Sequence, residues 1–167
     1  MYQIGDQVVY GFHGVCRIVD MEKRVVDRKT VRYYVLEPRD QSNARFYIPT
    51  ENQAAVSKLR PVLSREELDE ILARDSIWMD AWIVDKNTRK QRYRELINSG
   101  DWAALLTMVY TLYRHRREQK AAGRKFHLCD ENFLRDAEKL ICSEVSVVME
   151  IPAEEVPDFL MRQMKTT

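Results

Sequence analysis

Over the first sixty or so residues, hydrophobic and polar positions alternate with a period of two, which is typical of β-strands with one face exposed to water. The alternation begins at residues 7–10, and a β-branched run continues it at 15–19. Gly11 and Gly14 lie between these segments and allow the backbone angles of a tight turn. The pattern predicts that the chain opens with an antiparallel β-hairpin.

Three further strands are predicted before the alternation ends at Pro61. The second strand is expected to continue to Val26, and the next two strands cover residues 31–37 and 45–48. One helical turn and a short last strand near Leu59 follow. Five short strands in about sixty residues indicate a small, strongly bent β-barrel. We therefore predict a first domain of residues 1–61 and a second domain of residues 62–167.

The second domain is predicted to be an all-α helical bundle, because its hydrophobic positions recur at helical spacing. Ser64 and Glu67 match the capping box of a first short helix. A second helix is predicted from about residue 79 to 98, and a third from Trp102 to about residue 122. The predicted fold class is thus α+β with two domains.

Special residues mark the other helix boundaries. Gly100 suits the left-handed position that ends a helix, and Asp101 can cap the helix that follows. Asp130 is predicted to cap a fourth helix, and Pro152 suits the first turn of a fifth. Pro157 should kink that last helix or restart it.

Charge is distributed unevenly along the chain, although the formal net charge is only +1. Residues 86–125 contain eleven lysines and arginines against three carboxylates. The flanking segments, 63–85 and 126–167, are mainly acidic. Such a division can concentrate positive potential on one face of a nearly neutral protein.

Two hypotheses account for this basic segment. It could be an ordinary solvated helix face, or it could bind nucleic acid. We favour nucleic acid, because few carboxylates lie four residues from the cations and aromatic residues are interleaved with them. The alternative is a protein-interaction adaptor that binds an acidic protein and makes no DNA contact. The candidate DNA-binding residues are Trp82, Lys86, Arg89, Lys90, Arg92, Tyr93, Arg94, Arg116, Arg117 and Lys125.

Several short motifs resemble those of one known family. They are Gly5-Asp6-x-Val8-Val9-Tyr10, His13-Gly14-Val15, Tyr33-Tyr34-Val35-Leu36 and Tyr47-Ile48-Pro49. In order and spacing they are similar to the amino-terminal module of CarD-like bacterial transcription regulators. That module is similar to the polymerase-interacting domain of transcription-repair coupling factors. The turn at residues 99–101 extends the resemblance into the second domain.

The resemblance implies an SH3- or Tudor-like type of barrel and a role in transcription initiation. The first domain would bind the β subunit of RNA polymerase, and the second would bind promoter double-stranded DNA near the upstream edge of the bubble. Arg24, Arg45 and Tyr47 match the family's polymerase-facing edge. We therefore expect a cytoplasmic, nucleoid-associated monomer that modulates open-complex stability.

One position departs from the family pattern. The resemblance implies a tryptophan that wedges into the minor groove at the upstream edge of the bubble, and Lys86 stands where we expect it. Trp82 lies one helical turn earlier. If the helix begins early, Trp82 could serve as the wedge. The alternative is that Trp82 belongs to the core, and the sequence does not distinguish the two.

Other classes of function lack support in the sequence. It contains no GxSxG, HExxH, GxGxxG or phosphate-loop motif, so we expect neither an enzyme nor a bound cofactor. No segment suggests a membrane span, and three scattered cysteines fit a reducing compartment. The pairs His13/Cys16 and His127/Cys129 have zinc-ligand side chains, but their predicted positions in different domains favour structural roles and no metal.

Overall fold

The computed structural model describes residues 1–41, 43–78 and 80–164. The chain divides into two compact units, Met1–Val62 and Leu63–Thr167. Strands occupy the first unit and helices the second, so the predicted two-domain α+β fold class is confirmed. No helix in the described ranges is long and apolar enough to cross a membrane.

The first unit is built on a five-stranded antiparallel sheet with the strand order β4-β3-β2-β1-β5. The strands are β1 (Gln7–Tyr10), β2 (Val15–Val26), β3 (Lys29–Pro38), β4 (Phe46–Pro49) and β5 (Leu59–Pro61). A short helix, α1 (Gln53–Val56), is capped by Asn52, whose side chain accepts a hydrogen bond from the Ala55 amide.

The opening hairpin is present as predicted. A single 3-10 turn, Gly11–His13, connects β1 to β2, and the amide of Tyr10 donates to the Gly14 carbonyl at 2.9 Å. Gly14 has φ +72°, a left-handed conformation that residues with a Cβ rarely adopt. The glycine at this position therefore permits the tight return of the chain.

One face of this sheet carries a hydrophobic core. Its buried residues are Val8, Cys16, Ile18, Tyr34, Leu36, Ile48 and Leu59. The predicted closure into a barrel is not observed: among the described residues, β4 pairs only with β3, and β5 pairs only with β1. Both edge strands are short, and α1 between them packs Ala55 and Val56 against the core instead.

The second unit is a helical bundle. Its helices are α2 (Arg65–Leu72), α3 (Lys86–Ser99), α4 (Trp102–Ala121), α5 (Leu128–Met149) and α6 (Val156–Met164), with 3-10 turns at Asp75–Trp78 and Ala153–Glu155. The central helix is α4, on which Leu106, Met108 and Val109 are fully buried. It packs against Ile141 and other residues of α5 in a single core.

Several predicted caps are confirmed. The Ser64 hydroxyl accepts from the Glu67 amide at 3.1 Å, and the Glu67 carboxylate accepts from the Ser64 amide at 2.8 Å. Gly100 is left-handed with φ +72°. The carboxylate of Asp101 accepts from the Ala104 amide at 3.0 Å, which starts α4 at the predicted residue.

Two predicted helix starts are wrong. Helix α3 begins at Lys86 rather than near residue 79, and Met79 itself lies outside the described residues. Helix α5 begins at Leu128, so Asp130 lies inside its first turn and is not its cap. The residues before Asp85 contact α4 instead of extending α3. The carboxylate of Asp130 pairs with Arg89 instead of capping α5. Pro157 is the second residue of α6. Proline is tolerated there, because the N–H groups of a first helical turn have no partner within the helix.

Candidate nucleic-acid interface

Asp85 determines where α3 begins. Its carboxylate accepts from the Thr88 hydroxyl at 2.7 Å and from the Thr88 amide at 2.9 Å. These hydrogen bonds lower the pKa of Asp85, because they stabilise its charged form. A charged cap of this kind is also favoured by the helix dipole, so Lys86 becomes the first helical residue.

Helix α3 presents cations along its exposed side. Lys86 and Arg94 are exposed and Lys90 is half-buried, and these three residues recur every four positions along one stripe. Arg92 is exposed on another side of the helix, because residues two positions apart do not share a face. The buried stripe of α3 lies between Arg92 and Lys86 and consists of Arg89, Tyr93 and Leu96.

Arg89 is buried, contrary to its predicted role in DNA contact. Its guanidinium forms a bidentate pair with Asp130 of α5, with nitrogen-to-oxygen distances of 2.8 and 3.0 Å. It also donates to the Ile83 carbonyl at 2.9 Å and to the Val84 carbonyl at 3.3 Å. Arg89 is 4% exposed and Asp130 is 1% exposed. Arg89 therefore connects α3 both to α5 and to the segment before α3. Its buried guanidinium is not placed to contact a phosphate.

Tyr93 is the second predicted DNA contact that the structure places inside the bundle. It is 2% exposed, and its ring meets Phe133 edge to face with centroids 5.7 Å apart. Burial raises the pKa of its hydroxyl. We therefore exclude Tyr93 together with Arg89 from the candidate DNA-binding surface.

Trp82 lies before α3 and packs against the helical core. Its ring stacks on the His115 imidazole of α4, with centroids 3.5 Å apart and an interplanar angle of 9°. The Arg89 guanidinium carbon lies 4.5 Å from the Trp82 ring centroid. The early helix start that would let Trp82 serve as the wedge does not occur, because α3 begins after Trp82. This is the placement expected of a core residue.

The second half of α4 extends beyond the core. Leu112 and Tyr113 are buried, whereas Arg116, Arg117 and Lys120 are exposed. The Arg116 guanidinium carbon lies 5.1 Å from the Tyr113 ring centroid, a distance typical of a cation–π contact. Cations in these last turns are also favoured by the negative end of the helix dipole. Arg124 and Lys125 continue the exposed basic series in the loop before α5.

Two contacts hold the segment before α3 against the second half of α4. One is the stack of Trp82 on His115. The other is a hydrogen bond of 2.7 Å from the Arg114 guanidinium to the Asp80 carbonyl. We refer to the exposed and half-buried cations of α3, of the second half of α4 and of the loop after it together as the basic surface. It comprises Lys86, Lys90, Arg92, Arg94, Arg116, Arg117, Lys120, Arg124 and Lys125.

In the described part of the chain, the cations of the basic surface have no carboxylate partner. Within residues 1–41, 43–78 and 80–164, no Asp or Glu oxygen lies within the 4.0 Å ion-pair distance of their nitrogens. By contrast, the exposed Arg65 is paired with Asp69 at 3.2 Å on α2. An unpaired group of cations is a surface on which a polyanion can bind without first displacing a carboxylate.

Two family models cover this chain almost entirely. Residues 2–62 match the CarD-like/TRCF RID domain. Residues 70–161, more than half of the chain, match the CarD C-terminal domain. The chain belongs to the CarD family. The resemblance seen in the motifs of the first unit is therefore confirmed, and it extends over the helical unit.

A curated relative of this CarD-family protein is YdeB of Bacillus subtilis (strain 168), which is described as a candidate transcription factor. The two sequences are 28% identical over 166 residues. The matched region covers 95% of this chain and 99% of YdeB. The two proteins are therefore similar over their whole lengths and not in one domain alone.

The three residues expected at a polymerase-facing edge lie on one face of the sheet. The Arg24 guanidinium carbon lies 4.2 Å from the Tyr47 ring centroid and is paired with Glu22 at 2.9 Å. Arg45 precedes edge strand β4, and its guanidinium lies 4.0 Å from the Glu37 carboxylate. The sheet of this CarD-family protein thus holds Arg24 and Tyr47 in direct contact beside an exposed edge.

Four residues have zinc-ligand side chains: His13, Cys16, His127 and Cys129. In the part of the chain that the structure describes, no group of three or more His, Cys, Asp or Glu side chains could hold a metal ion. Cys16 is buried in the sheet, and burial raises the pKa of its thiol to about 11. A thiol with so high a pKa stays protonated at neutral pH and is a poor metal ligand.

The sequence interpretation missed the structural role of Asp130, although a signal was available. Asp130, Leu134, Ala137 and Ile141 follow one another at helical spacing, and all four are buried on one stripe of α5. A carboxylate on an otherwise apolar stripe requires a buried cation as its partner. The buried stripe of α3 contains one cation, Arg89. A cation on one buried stripe and a carboxylate on the other together predict the Arg89–Asp130 ion pair.

Proposed function

We propose that this CarD-family protein is a non-enzymatic regulator of transcription that binds RNA polymerase and promoter DNA at the same time. Residues 1–61 bind the polymerase β subunit through Arg24, Arg45 and Tyr47. Residues 62–167 bind duplex DNA near the upstream edge of the bubble through the basic surface. The observation that carries the proposal is the group of exposed cations on α3 and α4 that have no carboxylate partner among the residues the structure describes.

Regulation then needs no chemistry at the protein. A protein that binds the open complex more tightly than the closed complex shifts the equilibrium toward the open state by its difference in affinity. The side chains of the basic surface are suited to phosphates, and phosphate contacts position a protein without reading sequence. We therefore expect little dependence of binding on promoter sequence.

Binding to duplex DNA should depend steeply on salt. If about four phosphates are neutralised, the logarithm of the association constant should fall with the logarithm of salt concentration with a slope of roughly −3 to −4. Fluorescence anisotropy with a labelled duplex measures this slope. A variant with Arg116→Gln and Arg117→Gln should lower its magnitude by about 2.

A matched control is a variant with Arg65→Gln and Arg74→Gln. It removes the same charge from exposed residues of the helical unit that lie outside the basic surface. Its slope should equal that of the wild type. A flat slope for the wild-type protein would contradict the DNA interface and would favour the adaptor that binds an acidic protein.

Charge reversal at the sheet edge should weaken polymerase binding. Arg45→Glu places a second carboxylate beside Glu37 and should raise the dissociation constant for core polymerase by about tenfold, in the range of close charge pairs at interfaces. Lys58→Glu is the control, because Lys58 is exposed in the same unit and lies away from β4 in the sequence. Equal affinities for the two variants would exclude this edge as the polymerase contact.

A further inference from the structure

The β2–β3 hairpin extends well beyond the rest of the sheet. Pairing of β1 with β2 stops at Arg17, and pairing of β4 with β3 stops at Tyr33. The β2–β3 ladder continues from there to Val26 opposite Lys29. The four ladder steps beyond Tyr33 make a two-stranded projection of roughly 13 Å, which we call the arm (residues 22–32).

The arm is rich in cations. It contains five lysines and arginines and two carboxylates, Glu22 and Asp27. Arg24 is already paired with Glu22. In the described ranges, Lys23 and Arg32 form no ion pair or side-chain hydrogen bond, and both are exposed. The arm therefore carries a surplus of positive charge.

Two of these cations face each other. Lys23 lies directly opposite Arg32 in the β2–β3 ladder, so both side chains extend from the same face. Like charges in opposite positions destabilise an antiparallel pair. Arg24 and Val31 form the next pair, so the contact of Arg24 with Tyr47 lies on the other face of the arm. The Lys23/Arg32 face is thus separate from the face proposed to bind polymerase.

The tip of the arm carries a further cation in a strained conformation. Asp27 and Arg28 form the two-residue turn between β2 and β3, with φ values of +50° and +65°. Turns of this kind favour Asn and Gly, because both central residues need positive φ. Arg28 adopts this conformation although its side chain disfavours it, and with Lys29 it places two cations at the end of the hairpin.

We propose that the arm is a second DNA-binding element, which places Lys23, Arg32 and the tip cations against duplex phosphates. The major groove of DNA admits a two-stranded β-ribbon, and the exposed Val25 offers an apolar contact for a thymine methyl group. This inference rests on the proposed function in that the protein binds promoter DNA, and it adds a contact outside the helical unit.

Salt-dependent binding of full-length protein to labelled duplex DNA tests the proposal. The arm variant carries Lys23→Gln and Arg32→Gln, and removal of this like-charge pair should not destabilise the hairpin. Between about 50 and 200 mM salt, the arm variant should show a slope smaller in magnitude by about 2 and an affinity lower by tenfold or more. The control variant carries Arg39→Gln and Lys58→Gln, two exposed cations of the same unit, and should match the wild type.

Combination with the Arg116→Gln/Arg117→Gln variant separates the two DNA proposals. If both interfaces bind DNA, the two losses of slope should add. An arm variant with the wild-type slope overturns the arm proposal and leaves the helical interface standing. A loss confined to the arm variant supports the arm and overturns the helical interface. Unchanged DNA binding with weaker polymerase binding would assign the arm to an acidic protein surface and overturn the proposal.

Discussion

Asp130→Ala should destabilise the helical unit by about 3–5 kcal/mol. The substitution leaves the Arg89 guanidinium buried without its carboxylate partner, and burial of an uncompensated charge is costly. All three tryptophans follow residue 62, so their fluorescence during urea denaturation reports on this unit specifically. The expected result is a transition at much lower urea concentration with an unchanged slope.

The exposed pair Arg65–Asp69 provides the matched control. Asp69→Ala removes a carboxylate from an arginine at a similar distance, 3.2 Å, but at the surface of α2. It should cost no more than about 0.5 kcal/mol. Equal effects of Asp130→Ala and Asp69→Ala would contradict a structural role for the buried pair.

A second test of the pair removes both charges. The double substitution Arg89→Met/Asp130→Leu should recover most of the stability lost in Asp130→Ala, because no unpaired charge remains. Affinity for DNA should also be close to wild type in this double variant. A large loss of DNA affinity in a fully stable double variant would indicate that Arg89 contacts DNA.

Trp82→Ala should also destabilise the helical unit, by about 2–4 kcal/mol. The substitution removes the aromatic stack on His115 and the contact with the Arg89 guanidinium, and it leaves a cavity at the edge of the core. Circular dichroism during urea denaturation measures the loss. Duplex affinity of the folded variant should stay within about twofold of the wild type, since no cation is removed.

A double-mutant cycle identifies the contact responsible. Trp82→Ala, His115→Ala and the double variant should give a coupling energy of about 1 kcal/mol, typical of a stacked aromatic pair. Phe159→Ala, another half-buried aromatic residue of the same core cluster, is the control and should not couple to His115. Normal stability of Trp82→Ala together with faster collapse of the promoter bubble would support the wedge hypothesis instead.

Local sequence signals were sufficient for most of the secondary structure. The capping box at Ser64 and Glu67, the left-handed Gly100 and the cap at Asp101 each depend on side chains three residues apart or fewer. The opening hairpin likewise depends on nearby residues. Such features are readable because the groups that form the hydrogen bonds are neighbours in the chain.

The start of α3 shows where local signals conflict. Trp82, Lys86, Arg89 and Tyr93 have the spacing of one helical face, and that periodicity favoured an early start. The helix begins at Lys86, because the Asp85 carboxylate accepts hydrogen bonds from Thr88 and caps the helix. The conformation of the residues before Asp85 is set by contacts with α4, namely the Trp82–His115 stack and the Arg114–Asp80 hydrogen bond.

By itself, the sequence determined the strand and helix content, the change from one unit to the other near residue 62, and the concentration of basic residues between 86 and 125. Only the tertiary structure decided which of those cations face water. Arg89 and Arg92 are three positions apart on one helix, yet Arg89 is buried against Asp130, 41 residues away in the chain. The physical reason is that a charge can leave water only where packing brings an opposite charge to it, and that partner is supplied by another helix.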